Sequence, residues 1–158
     1  MIQILAKYCL LEKGKRANLE DVVYPNCNIN SAYNKVFIVW DGVGGESKGE
    51  IASKIAAETF AACLSDPAMP SVEVGLDQAL SQTQLKLQEY IDESPEASNM
   101  STTLTVAVFQ HGNLAVAWCG DSRIYHIREH KVIWKSKDHS LVQQLIDMGE
   151  ILEQEAKT

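Results

Sequence analysis

The chain has 158 residues and a formal net charge of −7, from 14 basic and 21 acidic side chains. This length suits one domain, so we expect residues 1–158 to form a single unit. The composition, 46% hydrophobic and 22% charged, is typical of a folded globular protein and excludes a collagen-like or wholly disordered chain. The acidic balance argues against a nucleic-acid-binding surface or a surface for anionic membranes.

The N-terminus, the apolar runs and the cysteine spacing predict where the protein resides in the cell. No apolar run approaches the ~20 residues that a membrane span requires. The N-terminus lacks the basic start and the long apolar stretch of a signal peptide, so we expect a cytoplasmic protein. The four cysteines are scattered singly, without C-x-x-C spacing, which predicts reduced, buried thiols rather than a zinc or redox site. They are Cys9, Cys27, Cys63 and Cys119.

The first 40 residues predict strands. Residues 2–11 alternate loosely between apolar and polar side chains and indicate an edge strand, followed by a polar loop over 12–18. Residues 22–24 predict a short strand that ends at Pro25, before the turn-rich residues 26–34. Residues 36–40 form a continuous apolar run, which is typical of a strand buried on both faces.

Two helices follow in the pattern. Ser47 begins a capping box, and the apolar spacing behind it predicts a helix that runs to about Leu64. A second helix is predicted over about 71–91, before an acidic, turn-prone linker at 92–99. The apolar side of this second helix should carry Val72, Leu76, Leu80, Leu87 and Ile91.

From Ser101 the apolar period changes to two, which predicts strands. The strands are expected at 103–109, 114–118, 123–127 and 132–134, with a turn at 111–113. We expect these strands to form one antiparallel meander. Asp138-His139-Ser140 supplies helix-start residues before a final apolar helix. The order of strands, two helices, strands and a helix indicates an α+β layered architecture.

The most informative segment delivers Asp41 from an apolar strand into a glycine-rich turn, Gly42-Val43-Gly44-Gly45. Such a turn could bind phosphate or a metal. The nucleotide-binding pattern G-x-G-x-x-G fails because Ser47 occupies its third glycine position, and no Walker lysine follows. A carboxylate at a strand end better suits a hard cation such as Mg²⁺ or Mn²⁺. Taken alone, the segment fits a simple tight turn equally well.

Two further segments carry candidate charged groups. Arg16 precedes the adjacent acids Glu20 and Asp21, and arginine suits bidentate phosphate binding while acids suit a metal and its waters. Asp121 stands in a tight turn between strands. In isolation, the first segment also fits a solvated charge run, and the second a β-turn aspartate.

Together these motifs resemble those of the type 2C metal-dependent Ser/Thr protein phosphatases (the PPM family), and most of all its compact bacterial members. The resemblance covers nearly the whole chain and implies an α-β-β-α sandwich. It also implies hydrolysis of phosphoserine and phosphothreonine in proteins by a water molecule that two metal ions activate. The motifs are Arg16…Glu20-Asp21, Asp41-Gly42-Val43-Gly44-Gly45, Ser101-Thr102-Thr103-Leu104, Gly120-Asp121-Ser122-Arg123 and Asp138-His139-Ser140-Leu141-Val142.

The resemblance also implies roles for individual metal ligands. Asp41 would bridge two Mn²⁺ or Mg²⁺ ions, and Gly42 would add its backbone carbonyl. Glu20 and Asp21 would hold one of the ions through its water shell. Asp121 matches the acid that is associated with a third, more weakly held ion in some members.

The substrate side of the site follows from the same resemblance. Arg16 would clamp the phosphate of a phosphoprotein that a Ser/Thr kinase has modified. Some relatives carry a histidine directly after the Asp-Gly pair to protonate the leaving alcohol. This chain has Val43 there, so a metal-bound water would have to serve instead.

The resemblance covers the N-terminal portion of the family, so we expect residues 1–158 to form a partial domain. Beyond the position of Thr158, the family normally continues through further strands and two more metal-binding aspartates. The sequence leaves open whether it is a fragment, a truncated reading frame or a natural short form. A non-catalytic pseudophosphatase that acts as a binding module is therefore the alternative function. Unpaired strand edges would also favour a homodimer.

Overall fold

The computed structural model describes residues 3–28, 35–43, 48–66, 68–110 and 112–157. Within these ranges the chain forms a five-stranded sheet, a separate two-stranded ribbon and three α-helices. The predicted turn residues 29–34, 44–45 and 111 lie outside the described residues. The strands are β1 (Asp21–Tyr24), β2 (Val36–Val43), β3 (Ser101–Thr102), β4 (Leu104–Gln110), β5 (Asn113–Cys119), β6 (Tyr125–Arg128) and β7 (Lys131–Lys135). The helices are α1 (Gly49–Leu64), α2 (Val72–Glu93) and α3 (Leu141–Asp147), with short 3₁₀ turns at Pro95–Ala97 and Glu155–Lys157.

Strand β2 is central in the large sheet, whose order is β1-β2-β4-β5. It pairs antiparallel with β1 on one side, where Asp21 faces Asp41, and with β4 on the other, where Val39 faces Thr105. Strand β3 pairs with the end of β2 beyond β4. The end of β2, where Asp41 lies, therefore has a neighbouring strand on both sides. A homodimer through the edge strands β1 and β5 stays a prediction.

Helices α1 and α2 pack on one face of this sheet. Ile38 and Trp40 of β2 point towards them and are 2% and 0% exposed, and the Trp40 ring meets Phe60 of α1 edge to face at 6.0 Å. Val39 and Val43 alternate with these residues along the strand and are 43% and 53% exposed. The prediction that this strand is buried on both faces is wrong, because the helices cover only the face of Ile38 and Trp40.

The first helix ends at Leu64 as predicted, but its start differs from the predicted capping box. The N-cap is Lys48, with φ +62 and no side-chain cap hydrogen bond. Ser47, the predicted cap, lies outside the described residues. The helix approaches the sheet through small buried residues, so Gly49 lies against the end of β2.

The second helix is confirmed, but its bounds differ slightly from the predicted 71–91, because it runs from Val72 to Glu93 and Ser71 is its N-cap. The hydroxyl of Ser71 accepts a hydrogen bond from the Val74 N–H at 3.3 Å. The prediction that Leu80 lies on the buried side is wrong, because its side chain is 46% exposed. The helix packs closely through the small residues Gly75 and Ala79, which are buried. Leu80 lies on the solvent side instead.

Two strand predictions are wrong. Residues 3–11 form no strand, and the apolar side chains of this segment, such as Leu5 and Tyr8, are 87% and 94% exposed, so their alternation marks no buried face. The predicted meander is divided, because β6 and β7 form their own ribbon. The chain leaves the large sheet at Gly120, whose φ of +99° starts a turn.

The prediction of four reduced, buried thiols is also wrong. Cys9 and Cys27 form a disulfide, with their Cα atoms 5.2 Å apart and a sequence separation of 18. Cys63 and Cys119 are free, and they are half-buried and exposed. Single cysteines give no pairing signal in a sequence, because only the folded chain decides which of them meet.

The final helix begins as predicted. The Ser140 hydroxyl accepts a hydrogen bond from the Gln143 N–H at 3.2 Å, and Asp138 binds Arg123 through two hydrogen bonds of 2.6 Å. The ion pair connects the start of α3 to the turn after β5. None of the helices in the described ranges has both the length and the apolar character that a membrane crossing needs.

Candidate metal and phosphate site

The pairing of β1 with β2 brings two predicted metal ligands side by side. Asp21 and Asp41 are direct cross-strand partners, so their side chains lie on the same face of the sheet. The pKa of Asp41 is raised above its usual value, first by burial, then by the charge of Asp21 and by a hydrogen bond between the two carboxyls. Burial and the neighbouring Asp21 therefore both oppose the ionisation of Asp41.

Asp121 and Arg16 act on the same carboxyl. The charge of Asp121, in the turn after β5, adds to the increase in the pKa of Asp41, whereas the guanidinium of Arg16 lowers it. The fold thus brings three predicted metal ligands and the predicted phosphate clamp into one electrostatic neighbourhood. These residues come from three distant parts of the sequence.

Glu20 lies beside this group and is 7% exposed. Its carboxylate accepts a hydrogen bond from Nη1 of Arg16 at 3.0 Å, and the Arg16 side chain is 69% exposed. The backbone carbonyl of Glu20 accepts two more hydrogen bonds, from the Ser53 hydroxyl at 2.6 Å and from the Gly42 N–H at 3.2 Å. Helix α1 and strand β2 therefore both fix the residue that precedes Asp21.

Gly42 follows Asp41 and is buried against the start of α1. A Cβ at this position would lie 2.7 Å from the carbonyl oxygen of Glu20 and would also overlap Gly49. Both neighbours are backbone atoms, so they cannot rotate away as a side chain could. Only glycine fits where the end of β2 passes between β1 and the first turn of α1.

Sequence reasoning assigned no role to Thr103, which is 5% exposed. The N–H of Asp41 donates to Oγ1 of Thr103 at 3.1 Å, and the N–H of Thr103 donates to the carbonyl of Asp41 at 2.9 Å. Oγ1 of Thr103 also lies 2.7 Å from Oγ of Ser122, beside Asp121. The motif that contains Thr103 was visible in the sequence, but its contact with Asp41 depends on strand register.

His139 lies at the start of α3 and packs against the same turn. Its ring stacks on Trp118 at 6.0 Å, and its backbone N–H donates to the carbonyl of Gly120 at 2.9 Å. A surface cavity of about 310 Å³ opens beside it and is also lined by Thr103 and Asp121. The turn that carries Asp121 therefore borders an accessible cavity.

The donor set fits a divalent cation by charge and atom type. Carboxylate oxygens such as those of Asp21, Asp41 and Asp121 are the ligands that Mg²⁺ and Mn²⁺ prefer. A cation among them would offset the carboxylate repulsion that, after burial, contributes to the raised pKa of Asp41. Within the described ranges, no three His, Cys, Asp or Glu side chains are gathered into a complete ligand cluster. The side chains would have to converge on an ion.

Comparison with known proteins agrees with this arrangement. The sequence model of the family described as Protein phosphatase 2C matches residues 19–146. The Serine/threonine protein phosphatase PstP of Mycobacterium tuberculosis is 31% identical over 141 residues, which cover 89% of this chain and 26% of that protein. The Serine/threonine phosphatase stp of Listeria monocytogenes is 28% identical over 131 residues, which cover 80% of this chain and 52% of that protein.

Solved structures show the same relationship. The catalytic domain of PstP, crystallised with two manganese ions, superposes with a TM-score of 0.75 at 31% identity, over 89% of this chain and 58% of that one. The serine/threonine phosphatase of Staphylococcus aureus gives a TM-score of 0.78 at 25% identity, over 100% of this chain and 65% of that one. The predicted α+β fold is confirmed, and it matches part of these catalytic domains. The chain belongs to the protein phosphatase 2C family, related to the bacterial serine/threonine phosphatases, and spans part of their length.

Proposed function

We propose that this chain functions in the metal-dependent hydrolysis of phosphoserine and phosphothreonine in proteins. The observation that carries the proposal is the cross-strand pairing of Asp21 with Asp41, with Asp121 and Arg16 acting on the same carboxyl. This arrangement places carboxylates for a cation beside a guanidinium for a phosphate. The relatives named as serine/threonine phosphatases support the same reaction.

The carboxylates are the groups that would hold Mn²⁺ or Mg²⁺. Asp41 and Asp121 would supply charged oxygens, the carbonyl of Gly42 would supply a neutral oxygen, and Glu20 and Asp21 would act through the water shell of one ion. The PstP structure with two manganese ions supports two ions here. The family resemblance makes Asp121 the candidate ligand of a third. When bound, such ions neutralise phosphoryl charge and lower the pKa of water.

Arg16 orients the substrate phosphate in this proposal. A guanidinium matches two phosphate oxygens with two parallel N–H donors, which fixes the direction of the phosphorus as well as its position. The hydrogen bond from Arg16 to Glu20 uses one of its nitrogen atoms, and the side chain stays 69% exposed. Because Asp121 is exposed as well, a phosphate carried on a protein segment can reach the site. We propose the products of a Ser/Thr kinase as substrates.

The test compares hydrolysis of p-nitrophenyl phosphate and of a phosphothreonine peptide by the wild-type chain and by Asp41→Asn. The control is Asp77→Asn, since Asp77 is exposed on α2, away from the sheet end. We expect activity that requires Mn²⁺, disappears with EDTA and falls more than about 100-fold in Asp41→Asn, because even residues that only support metal ligands change activity by about 10–100-fold. Asp77→Asn should match the wild type.

Equal activity of Asp41→Asn and the wild type would contradict the proposal. The second candidate function is a non-catalytic module that binds phosphoproteins. It is favoured by the incomplete ligand cluster among the described residues. A folded chain that binds the phosphothreonine peptide in the presence of EDTA, and does not hydrolyse it with Mn²⁺, would support this second function.

A further inference from the structure

We propose that Thr103 is a positioning residue, whose hydroxyl holds Asp41 and links it to the turn that carries Asp121. The inference deepens the proposed function, because it concerns the same site. It starts from the position of Thr103 between β3, which ends at Thr102, and β4, which begins at Leu104. Thr103 therefore lies at an interruption in the strands that flank β2.

The register places this interruption opposite Asp41. Strand β2 faces β4 as far as Val39 and Thr105, and it faces β3 from Gly42 and Thr102 onwards. Two positions lie between these pairs, and in the same register Leu104 faces Trp40 and Thr103 faces Asp41. In a regular antiparallel pair, two such facing residues would exchange two backbone hydrogen bonds, or none.

A side chain replaces half of that exchange. The Thr103 N–H donates to the carbonyl of Asp41 at 2.9 Å, as in a regular ladder. The Asp41 N–H instead donates to Oγ1 of Thr103 at 3.1 Å. The hydroxyl of Thr102 adds a third hydrogen bond, to the Asp41 carbonyl at 3.2 Å. The backbone N–H of Asp41 is thus held by a side-chain hydroxyl, which one substitution can remove while the backbone stays unchanged.

The Thr103 hydroxyl also contacts the turn that carries Asp121. Oγ1 of Thr103 lies 2.7 Å from Oγ of Ser122. A hydroxyl has one donor and two acceptor sites, so Thr103 can accept from Asp41 and still share a hydrogen bond with Ser122. Its methyl group contacts the turn as well, since a Cβ on Gly120 would lie 2.8 Å from Cγ2 of Thr103.

Because Thr103 is buried, loss of its hydrogen bonds should have a measurable effect. Thr103 is 5% exposed, so the Asp41 N–H and the Ser122 hydroxyl have restricted access to water as a substitute partner. Asp41 and Asp121 come from different segments, so ions held by these two carboxylates need a fixed separation between them. Groups that orient metal ligands in this way typically change metal affinity about 10–100-fold when removed.

Thr105, two residues along the chain in β4, supplies a matched control. It is 6% exposed, and its hydroxyl donates to the backbone carbonyl of Val39 in β2 at 3.3 Å. Thr105→Val therefore removes a buried threonine hydroxyl and one hydrogen bond to β2, as Thr103→Val does. It differs in that its partner is two residues before Asp41 and it leaves the Gly120 turn untouched.

The first measurement needs no metal. Hydrogen exchange, resolved by residue with NMR, is compared in the wild type, Thr103→Val, Thr103→Ser and Thr105→Val. Loss of the hydroxyl should speed exchange of the Asp41 N–H by about five- to thirty-fold, the effect of one lost hydrogen bond. Thr103→Ser keeps the hydroxyl and should stay close to the wild type, and Thr105→Val should leave the Asp41 N–H unchanged.

Ser122→Ala tests the second half of the link and keeps the test valid if Thr103→Val does not fold. This substitution leaves Thr103 in place, so the Asp41 N–H should keep its wild-type exchange rate. Residues of the turn around Gly120 should exchange faster. An unchanged turn in Ser122→Ala, or an unchanged Asp41 N–H in folded Thr103→Val, would overturn the inference.

The second measurement is the affinity for Mn²⁺ alone, titrated by the electron paramagnetic resonance signal of the free ion. We expect Thr103→Val to weaken binding by about tenfold or more, Thr103→Ser to restore it, and Thr105→Val to match the wild type. Equal weakening in Thr103→Val and Thr105→Val would reduce Thr103 to a structural role and overturn the inference. A wild-type chain that binds no Mn²⁺ would contradict the proposed function, while the exchange measurement would still decide the role of Thr103.

Discussion

Arg16 and Glu20 form an ion pair with 3.0 Å between Nη1 and Oε2, in which the arginine side chain is 69% exposed and the glutamate 7% exposed. The buried partner anchors the exposed one. The backbone of Glu20 is itself held by Ser53 and Gly42, so the anchor extends into the core. An arginine restrained in this way loses less conformational freedom when it binds a phosphate than a free surface arginine does.

Replacing Arg16 should therefore weaken substrate binding. We expect Arg16→Ala to raise the KM for p-nitrophenyl phosphate about tenfold or more, because hydrogen bonds to charged groups contribute about 1.5–3 kcal/mol. Arg16→Lys should lie between Ala and the wild type, since lysine keeps the charge without the two parallel donors. Steady-state kinetics with Mn²⁺ measures this, with Lys15→Ala as the control. An unchanged KM in Arg16→Ala would contradict the role of a phosphate clamp.

Removing the charge of Asp41 should stabilise the metal-free chain. The pKa of Asp41 is raised in the folded state from its usual 3.8, so its ionised form opposes folding, and stability is lost as the pH rises through the folded pKa. Solvent screening limits the effect at this partly exposed site. At pH 7 we expect Asp41→Asn to increase the free energy of unfolding by about 0.5 kcal/mol, a rise of about 1–2 °C in Tm.

Thermal melts at pH 7 and at pH 3 test this expectation. The difference should vanish at pH 3, where the wild-type carboxyl is protonated in both folded and unfolded chains. With Mn²⁺ at pH 7 the order should reverse, because only the wild type gains stability from the ion. A metal-free Asp41→Asn chain that melts below the wild type at pH 7 would show that carboxylate repulsion is not the dominant effect.

The ion pair between Arg123 and Asp138 should contribute stability that depends on pH. Its two hydrogen bonds of 2.6 Å lower the pKa of Asp138 below its usual 3.8. The contribution is therefore present above 3.8 and lost as the pH falls through the folded pKa. Because the arginine is 43% exposed, we expect Asp138→Asn to cost about 1 kcal/mol at pH 7.

Urea denaturation across the pH range measures this cost, and the difference from the wild type should shrink steadily below pH 3.8. Asp77→Asn, which changes an exposed carboxylate on α2, should show no such difference. A cost for Asp138→Asn that stays constant down to low pH would point to packing rather than to the ion pair.

Adding a methyl group at Gly42 should destabilise the end of β2. A Cβ there would lie 2.7 Å from the carbonyl oxygen of Glu20, so the backbone would have to move. We expect Gly42→Ala to cost about 3 kcal/mol in the free energy of unfolding. Gly112→Ala is the comparison, since Gly112 has φ +82 and no atom within 4 Å of a Cβ. It should cost about 1 kcal/mol from backbone strain alone. Equal costs in urea denaturation would contradict the close packing at Gly42.

The sequence was sufficient for features that depend on neighbouring residues. The end of the first helix at Leu64 and the caps Ser71 and Ser140 follow from periodicity and from hydrogen bonds that span three residues. The family was also predictable, because its motifs keep their residue types and their order along the chain. The roles that the motifs imply for Asp41 and Asp121 stay predictions.

Only the tertiary structure decided which distant segments meet. Nothing local distinguishes a strand covered on both faces from β2, where Val39 is 43% exposed, because the covering elements lie elsewhere in the sequence. Two further features also depend on distant segments meeting. They are the disulfide between Cys9 and Cys27 and the contacts of Thr103 with Asp41 and Ser122. Periodicity and capping act within a few residues of the chain, whereas burial, pairing and register are set by contacts that form when the sheet assembles.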